Sequence, residues 1–296
     1  MVEGKKSKMK KIGIIGAGRL GTSLGYALTR AGYAVKAVST GTLSSAEESR
    51  NIIGQGIALT DNVRTAGSGE IVILSVPDDS ISQVVKELDA ADLEWKGKLV
   101  FHCSGLHPSR LLRPLGVKGA LIASIHPSQS FPQKSRAPKA FRGVYFAIEG
   151  EAEALAIARI IILDLGGHPF IIQKEDKVLY HAACSIASNF FVALLDGAIT
   201  LLQGCGLKEE TGRDILLPLV ERTLRNVKKF NTSAALSGPI IRGDHKTVKI
   251  HLQALREHPE IYRIYVSLAS QALEIARRGK KITSAEDRAI KALLEQ

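Results

Sequence analysis

Apolar positions are distributed along the chain in two regimes. Through the first half, short apolar runs alternate with longer segments whose apolar residues recur every three or four positions. The runs Lys11–Ile15, Ala34–Ser39, Ile71–Val76, Lys98–Cys103, Leu121–Ile125 and Val144–Ile148 read as buried strands. The segments Arg19–Ala31, Asp79–Leu88 and Glu151–Leu165 read as amphipathic helices, Gly166-Gly167 ends the last of them, and His168–Ile172 reads as a final strand. Short apolar strands separated by helices predict an α/β fold with a mostly parallel, doubly wound sheet. From Glu175 onward no strand signal returns. Helical spacing covers Glu175–Gly204, Lys208–Phe230, His245–Glu257, Pro259–Arg278 and Ser284–Glu295, the last opened by the capping pattern Ser284-x-x-Asp287.

The first strand runs into Gly16-Ala-Gly-Arg-Leu-Gly21. Gly16, Gly18 and Gly21 match the G-x-G-x-x-G turn of a dinucleotide-binding βαβ unit: the first glycine permits the tight turn, the second lets a pyrophosphate approach the backbone, and the third lets helix and strand pack closely. Arg19 and Leu20 complete the loop, and the helix start offers free N–H groups to phosphate. At the end of the second strand, NAD-binding chains place an acid on the ribose hydroxyls. Here Ser39-Thr-Gly-Thr-Leu-Ser-Ser45 holds no acid before Glu47, and Arg19 or Arg50 could supply positive charge. Hydroxyls with nearby arginines favour NADP over NAD; the same segment also serves as a Ser/Thr cap for a helix near Ser45–Ile53. The chain is therefore expected to comprise a disordered basic tail at 1–10, a Rossmann NADP-binding domain at 11–173, and an all-helical substrate or dimerisation domain at 174–296.

Composition narrows the class without naming a reaction. The chain has 296 residues, 45% of them hydrophobic and 23% charged, and a net charge of +11. The first eleven residues hold five lysines and one glutamate, so the tail contributes +4 of that charge. Apart from Arg277-Arg-Gly-Lys-Lys281, the remaining excess is dispersed and lacks the aromatic interleaving of a nucleic-acid surface, so no nucleic-acid partner is expected. A basic surface suits anionic substrates and a phosphorylated cofactor. The tail lacks the apolar core of a signal peptide, and no uninterrupted run approaches the ~20 apolar residues of a membrane span, so no membrane association is expected. Cys103, Cys184 and Cys205 are odd in number and widely spaced, which fits neither a disulfide framework nor a zinc site and agrees with a reducing cytoplasm. No metal site is expected.

Candidate chemistry gathers at the strand ends, where open α/β sheets bind ligands. Ser75-Val76-Pro77 follows one strand, His102-Cys-Ser104-Gly105-Leu-His107-Pro108 another, and His126-Pro127-Ser128-Gln-Ser-Phe131 a third. Ser75, Val76, Pro77, Ser104 and Gly105 are expected at the cofactor, together with Ser39 and Thr40. His102, inside its strand, reads as a core histidine bonded to backbone. His107 suits a structural and a functional role equally, as does His126; the expected substrate residues are His126 and Ser128. In the helical half, His181, Ser185 and Asn189 recur every four residues and share one stripe of a helix, with Lys177 one turn earlier. A polar stripe among small and apolar residues needs a partner, either substrate or another helix. The loop Ser237–His245 adds Arg242, able to grip a carboxylate in bidentate fashion, and Asp244; an Arg–Asp pair ordering the loop, with Asp244 capping the next helix, explains it equally well.

These motifs, together with Ile71-Val-Ile-Leu-Ser-Val-Pro77, Tyr180-His-Ala-Ala183 and Gly238-Pro239, resemble the superfamily of 6-phosphogluconate dehydrogenase, ketopantoate reductase and pyrroline-5-carboxylate reductase. The chain looks most similar to a branch of Rossmann-like proteins with a C-terminal domain of unknown function. The resemblance spans nearly all of the chain after the tail. It implies an oxidoreductase acting on CH–OH or CH–NH groups, and a homodimer formed through the helical domain. In ketopantoate reductase and its hydroxyacid-dehydrogenase relatives a catalytic lysine opens the first helix of the second domain, followed by asparagines. By that resemblance His181 stands at the lysine position, Ser185 at the first asparagine and Asn189 at the second, while Lys177 lies one turn earlier. The resulting expectation is NADPH-dependent reduction of a small anionic carbonyl or imine, ketopantoate-like substrates included. His181 would donate the proton while Ser185 and Asn189 hold the heteroatom. An NADP sensor without turnover, or a dimerisation module, are the competing expectations.

Overall fold

The computed structural model describes residues 10–137 and 139–296, so the expected tail lies outside the described residues except for Lys10. Among the described residues the first half builds eight strands: β1 Lys11–Ile15, β2 Ala34–Ser39, β3 Ile57–Leu59, β4 Ile71–Leu74, β5 Leu99–His102, β6 Leu121–Pro127, β7 Tyr145–Gly150 and β8 His168–Ile171. Between them run α1 Arg19–Arg30, α2 Leu43–Ile53, α3 Asn62–Gly67, α4 Ile81–Ala90, α5 Arg113–Val117 and α6 Ala152–Asp164. All strands form one sheet in the order β3-β2-β1-β4-β5-β6-β7-β8. After β3 the chain crosses back to place β4 on the other side of β1, so the strand order reverses between β1 and β4. That reversal opens a crevice beyond their carboxyl ends.

Alternation along the strands splits the core in two. Ile12, Ile14, Ile73 and Phe101 face a layer containing Leu24 and Leu28 of α1 and Ala158 and Ile162 of α6. Ile15, Val72, Leu74 and Val100 face the layer of Val84 and Leu88 of α4 and the buried Trp95. Burial on both faces is why these strands read as continuous apolar runs.

The structure corrects several expectations. The short β3 and α3 lay within a segment too brief to show a period. The strand expected at Leu121–Ile125 extends to Pro127, because β7 pairs with it antiparallel and matches His126 to Ala147 and Pro127 to Phe146. The sheet is thus parallel from β3 to β6, with one antiparallel step before β8 pairs parallel to β7. The strand expected at Ile71–Val76 ends at Leu74, leaving Ser75 and Val76 in the turn.

The helical half opens with α7 Lys177–Ala187, followed by α8 Asn189–Gly204, α9 Glu209–Lys229, α10 Thr232–Ala235, α11 His245–Ala254, α12 Pro259–Arg278 and α13 Ser284–Leu294. The single helix expected over Glu175–Gly204 is interrupted at Ser188 (φ −120°, ψ −71°), which separates Asn189 from His181 and Ser185. The chain's two compact units divide at the same place, the first ending at Ser188 and the second beginning at Asn189. The expected boundary stood at residue 173; α7 instead packs with the sheet, for reasons given below. Taken together, Lys177–Gly204 is long and apolar enough to cross a membrane by length and composition. No uninterrupted apolar run marks it, because single polar residues such as His181, Ser185, Asn189 and Asp196 break the run while the average stays apolar. In the second unit Ile240, Val248, Leu252, Ala269, Leu273 and Ile290 form a core. The cap of α13 sits one residue earlier than the sequence pattern suggested: Thr283 and Glu286 form a reciprocal capping box.

Candidate active site

The glycine loop is built as a phosphate cradle. Gly16 takes φ +81°, and a Cβ there would meet the Val76 backbone nitrogen at 2.6 Å, so the turns after β1 and β4 touch. The Gly16 and Ala17 N–H groups donate to the Ser39 carbonyl at 2.9 and 3.0 Å. A Cβ on Gly21 would stand 2.8 Å from the Gly16 carbonyl oxygen, which explains the close helix–strand packing, and Ser75 closes the same contact at 3.1 Å. Gly18 differs: a Cβ there would meet nothing nearer than 3.9 Å. No fold contact requires glycine at that position, while the N-terminus of α1 beside it carries no side-chain cap and no acid in its first turn. An open glycine beside uncapped N–H groups fits a dinucleotide pyrophosphate. Leu20 packs against the core, Arg19 is exposed, and Pro77 is exposed after β4.

The segment expected at the adenine ribose is more structural than its hydroxyls suggested. Ser39 is buried and bonds Asn62 Oδ1 at 2.9 Å, and the Thr40 hydroxyl donates to the Thr42 carbonyl at 2.7 Å. The Thr42 hydroxyl accepts the Ser45 N–H and caps α2. Of this set, Thr40 is half-buried and Ser39 turns its hydroxyl inward, which leaves Arg19 as the exposed cation of the loop.

A second polar cluster joins the ends of β5 and β6 to α7. Ser104 organises it. Its N–H donates to His102 Nδ1 at 3.2 Å, and its hydroxyl accepts the N–H groups of Leu106 and His107 at 3.1 and 2.9 Å. Since Nδ1 accepts, the proton of neutral His102 lies on Nε2, which bonds the Pro108 carbonyl at 3.2 Å. Burial foremost, with the Lys177 charge adding, pulls the His102 pKa down to about 4 against the Pro108 bond. His102 is thus the backbone-bonded core histidine expected, and His107 anchors the loop through its N–H.

Lys177 lies wholly buried with its ammonium 2.7 Å from Ser124 Oγ and 3.1 Å from the Ser104 carbonyl. These bonds fasten α7 to the sheet. Burial lowers the Lys177 pKa to about 8, opposed by the negative charges of Glu149 and Asp78. Glu149, opposite Ser124 in the β6–β7 register, accepts from the Ser109 N–H at 2.6 Å and from its hydroxyl at 2.8 Å.

Above Lys177, His126 Nδ1 and Ser128 Oγ each approach the Tyr180 hydroxyl to 2.7 Å. The rings of His126 and His181 stand edge to face with centroids 6.0 Å apart. A Cβ on Gly105 would lie 2.7 Å from His181 Cδ2 and 2.9 Å from His126 Nε2, so both imidazoles converge over the bare backbone of Gly105. Burial, then the charges of Lys177 and His181, pulls the His126 pKa to about 4. Burial raises that of Tyr180, with Cys184 adding to the rise against the Ser128 bond.

The structure therefore gathers Ser104, Gly105, His126, Ser128, Lys177 and His181 at one place. Ser185 is half-buried one turn beyond His181, and Asn189 is exposed at the start of the second unit. Arg242 and Asp244 also belong to the second unit. There Asp244 caps α11 through the Thr247 N–H and hydroxyl at 3.1 and 2.7 Å, bonds that hold its carboxyl below the usual range, and Arg242 is exposed. The alternative reading of Asp244 as a cap is the one seen. Sequence reasoning missed Tyr180, Ser124 and Glu149. Tyr180 adjoins His181 but falls off a four-residue stripe, and the other two are positioned by cross-strand register. Among the described residues, no group of three or more metal-ligating side chains converges.

Comparison with known proteins agrees with this architecture. Residues 3–127 match the model of the Rossmann-like domain, and residues 144–272 match a domain of unknown function, DUF2520. BF3122 from Bacteroides fragilis, assigned as an NADP oxidoreductase, is similar at 25% identity and a TM-score of 0.77, over 90% of this chain and 98% of its own. Protein TM1727 from Thermotoga maritima is 26% identical with a TM-score of 0.66, over 90% of this chain and 99% of its own. The fold extends to Plasmodium falciparum pyrroline carboxylate reductase with NADP bound, at 16% identity and a TM-score of 0.60, over 92% of this chain and 97% of that one. No curated protein matches the chain.

Proposed function

Since this chain joins a Rossmann-like domain to a DUF2520 domain, we propose that it is an NADPH-dependent oxidoreductase reducing the C=O or C=N bond of a small anionic compound. The observation that carries the reading is the convergence of two imidazoles on Gly105, at the carboxyl edge of a sheet whose glycine loop suits a pyrophosphate. NADPH, when bound, supplies a hydride to the substrate carbon. This chain's residues supply the rest. Gly16–Gly21 and the first turn of α1 hold the pyrophosphate, and Arg19 is the candidate partner of the 2′-phosphate. His126 and His181 form the wall that faces the substrate heteroatom and from which a proton reaches it. Lys177 does not touch the substrate; its buried charge favours an anion at the mouth of the site and disfavours imidazolium formation at His126.

A titration of NADPH and NADH by cofactor fluorescence, followed by oxidation assays against 2-oxo acids (ketopantoate included) and cyclic imines, tests the proposal. Preference for NADPH and turnover that collapses in His181→Ala, with cofactor binding retained, are expected. Binding without oxidation of NADPH by any compound would turn the reading to a nucleotide sensor. We further propose a homodimer formed through the second unit. Phe190 and Val192 of α8 and Ile215, Leu219 and Leu224 of α9 expose apolar side chains. Light scattering should give twice the chain mass, and Leu219→Lys should reduce it. A cytoplasmic setting accords with three free cysteines.

A further inference from the structure

We infer that Ser128, Tyr180 and His126 form a proton relay that feeds the substrate heteroatom from solvent, with His126 Nε2–H as the donor. The inference rests on the oxidoreductase reading above and assigns the route of its proton. Tyr180 is half-buried, and its oxygen carries one hydrogen between two partners, each at 2.7 Å. Of the arrangements open to a hydroxyl with one hydrogen and two lone pairs, the relay is the one that donates one of these bonds and accepts the other. Imidazole nitrogen is a stronger base than an alcohol oxygen, so the phenol donates to His126 Nδ1 and accepts from Ser128. With Nδ1 accepting, neutral His126 carries its hydrogen on Nε2. That is the atom directed at the space over Gly105, where a Cβ would stand 2.9 Å away. Ser128 lies at the other end and is exposed to water.

The chain solves a specific chemical difficulty. His126 faces the charged Lys177 and the imidazole of His181, both from α7, and stays neutral above about pH 4. A neutral imidazole that gives up Nε2–H alone becomes an anion, and is a very poor acid. With Tyr180 on Nδ1 the step balances. NADPH, when bound, would supply the hydride for the new C–H bond, leaving the carbonyl π pair on oxygen. The Nε2–H bond breaks as the substrate O–H forms. The Tyr180 O–H bond breaks as Nδ1–H forms, and the Ser128 O–H bond breaks as the phenol regains its hydrogen. Solvent returns a proton to Ser128, so the cofactor's hydride is matched by one proton from water. When product leaves, Nε2 takes a proton from the open site and the chain runs back, restoring the starting tautomer. His181 then orients the heteroatom, and Tyr180 and Ser128 act as positioning residues through His126.

Two measurements on the full-length protein with NADPH decide the matter. Long-range proton–nitrogen NMR of the imidazoles should show His126 as the Nε2–H tautomer, neutral at pH 6.5, with its Nδ1 resonance shifted in Tyr180→Phe. An Nδ1–H tautomer, or imidazolium as the main form at that pH, overturns the relay whether or not a substrate is known. With a substrate found in the panel above, Tyr180→Phe should lower kcat by about 10²-fold or more at unchanged NADPH Kd. The dependence of kcat on the deuterium fraction of the solvent should change from curved, several protons moving together, to linear. Ser128→Ala should show a smaller loss that Ser128→Thr restores. Wild-type kcat and a curved dependence retained in Tyr180→Phe overturn the inference. Failure of the wild type to bind NADPH sinks the oxidoreductase reading instead, and the tautomer still decides the hydrogen-bond chain.

Discussion

Replacing Gly105 with alanine inserts one methyl group between two imidazoles. The new Cβ would lie 2.7 Å from His181 Cδ2, and 2.9 and 3.0 Å from Nε2 and Cδ2 of His126. Comfortable carbon–carbon separations begin near ~3.5 Å, so His181 must retreat by roughly 0.8 Å or rotate. Gly105 is not among the glycines with positive φ, so the backbone accepts alanine and the whole effect is steric. Overpacking of this kind costs about 1–3 kcal/mol. For a unit of 188 residues each kcal/mol lowers Tm by about 2–4 °C, giving a fall of roughly 2–12 °C. Displacing a reacting group by about 1 Å costs on the order of 10²-fold in rate, so kcat should fall far more than NADPH affinity. Calorimetry and NADPH oxidation read the two effects. Adding His181→Ala should return much of the lost Tm, because it removes the nearest clashing ring, and the double-mutant cycle would report that coupling. An alanine variant with wild-type Tm would refute the packing argument. One with lowered Tm but unchanged kcat would remove the imidazole pair from the chemistry.

Three further outcomes follow from the same geometry. Gly18→Ala should keep the wild-type Tm yet weaken NADPH binding at least tenfold, a ΔΔG of about 1.4 kcal/mol, whereas Gly16→Ala should lower Tm, since its φ is +81° and its Cβ would sit 2.5 Å from Val76 Cγ1; thermal shift and fluorescence titration separate them. Lys177 has a folded pKa of about 8 against 10.5 in the open chain, so in that window the unfolded state holds a proton that the folded state has released. Stability in urea should therefore rise with pH from 8 to 10.5, and Lys177→Met should flatten that rise. His102 titrates near 4 when folded and 6.5 when unfolded, so stability should fall as pH drops through that range. His102→Gln should make the fall shallower by up to about 1.4 kcal/mol per pH unit, the share of one proton.

Much of this molecule is determined locally and is therefore visible in the chain. The buried strands are apolar on both faces, so β1, β2, β4 and β5 appear as runs. Gly16 and Gly21 are required by a positive φ and by a 2.8 Å approach to a carbonyl, constraints that belong to one turn. His102 sits inside a strand and could be recognised as a core histidine; Asp244 precedes a helix and could be recognised as a cap. The hydrophobic effect and hydrogen bonds closed within a few residues leave such marks. What tertiary structure alone decided is the composition of the site. Helical periodicity linked His181 to Ser185 and Asn189, but the helix breaks at Ser188 and Asn189 begins another unit. Lys177 seemed an outlying member of that stripe, and instead it is the buried cation that ties α7 to Ser104 and Ser124, 73 and 53 residues away. Tyr180 meets His126 across 54 residues, in a bond that no local spacing encodes. Side chains from distant segments converge because the sheet order and the antiparallel β6–β7 step place their backbones side by side, and that placement is a property of the packed whole.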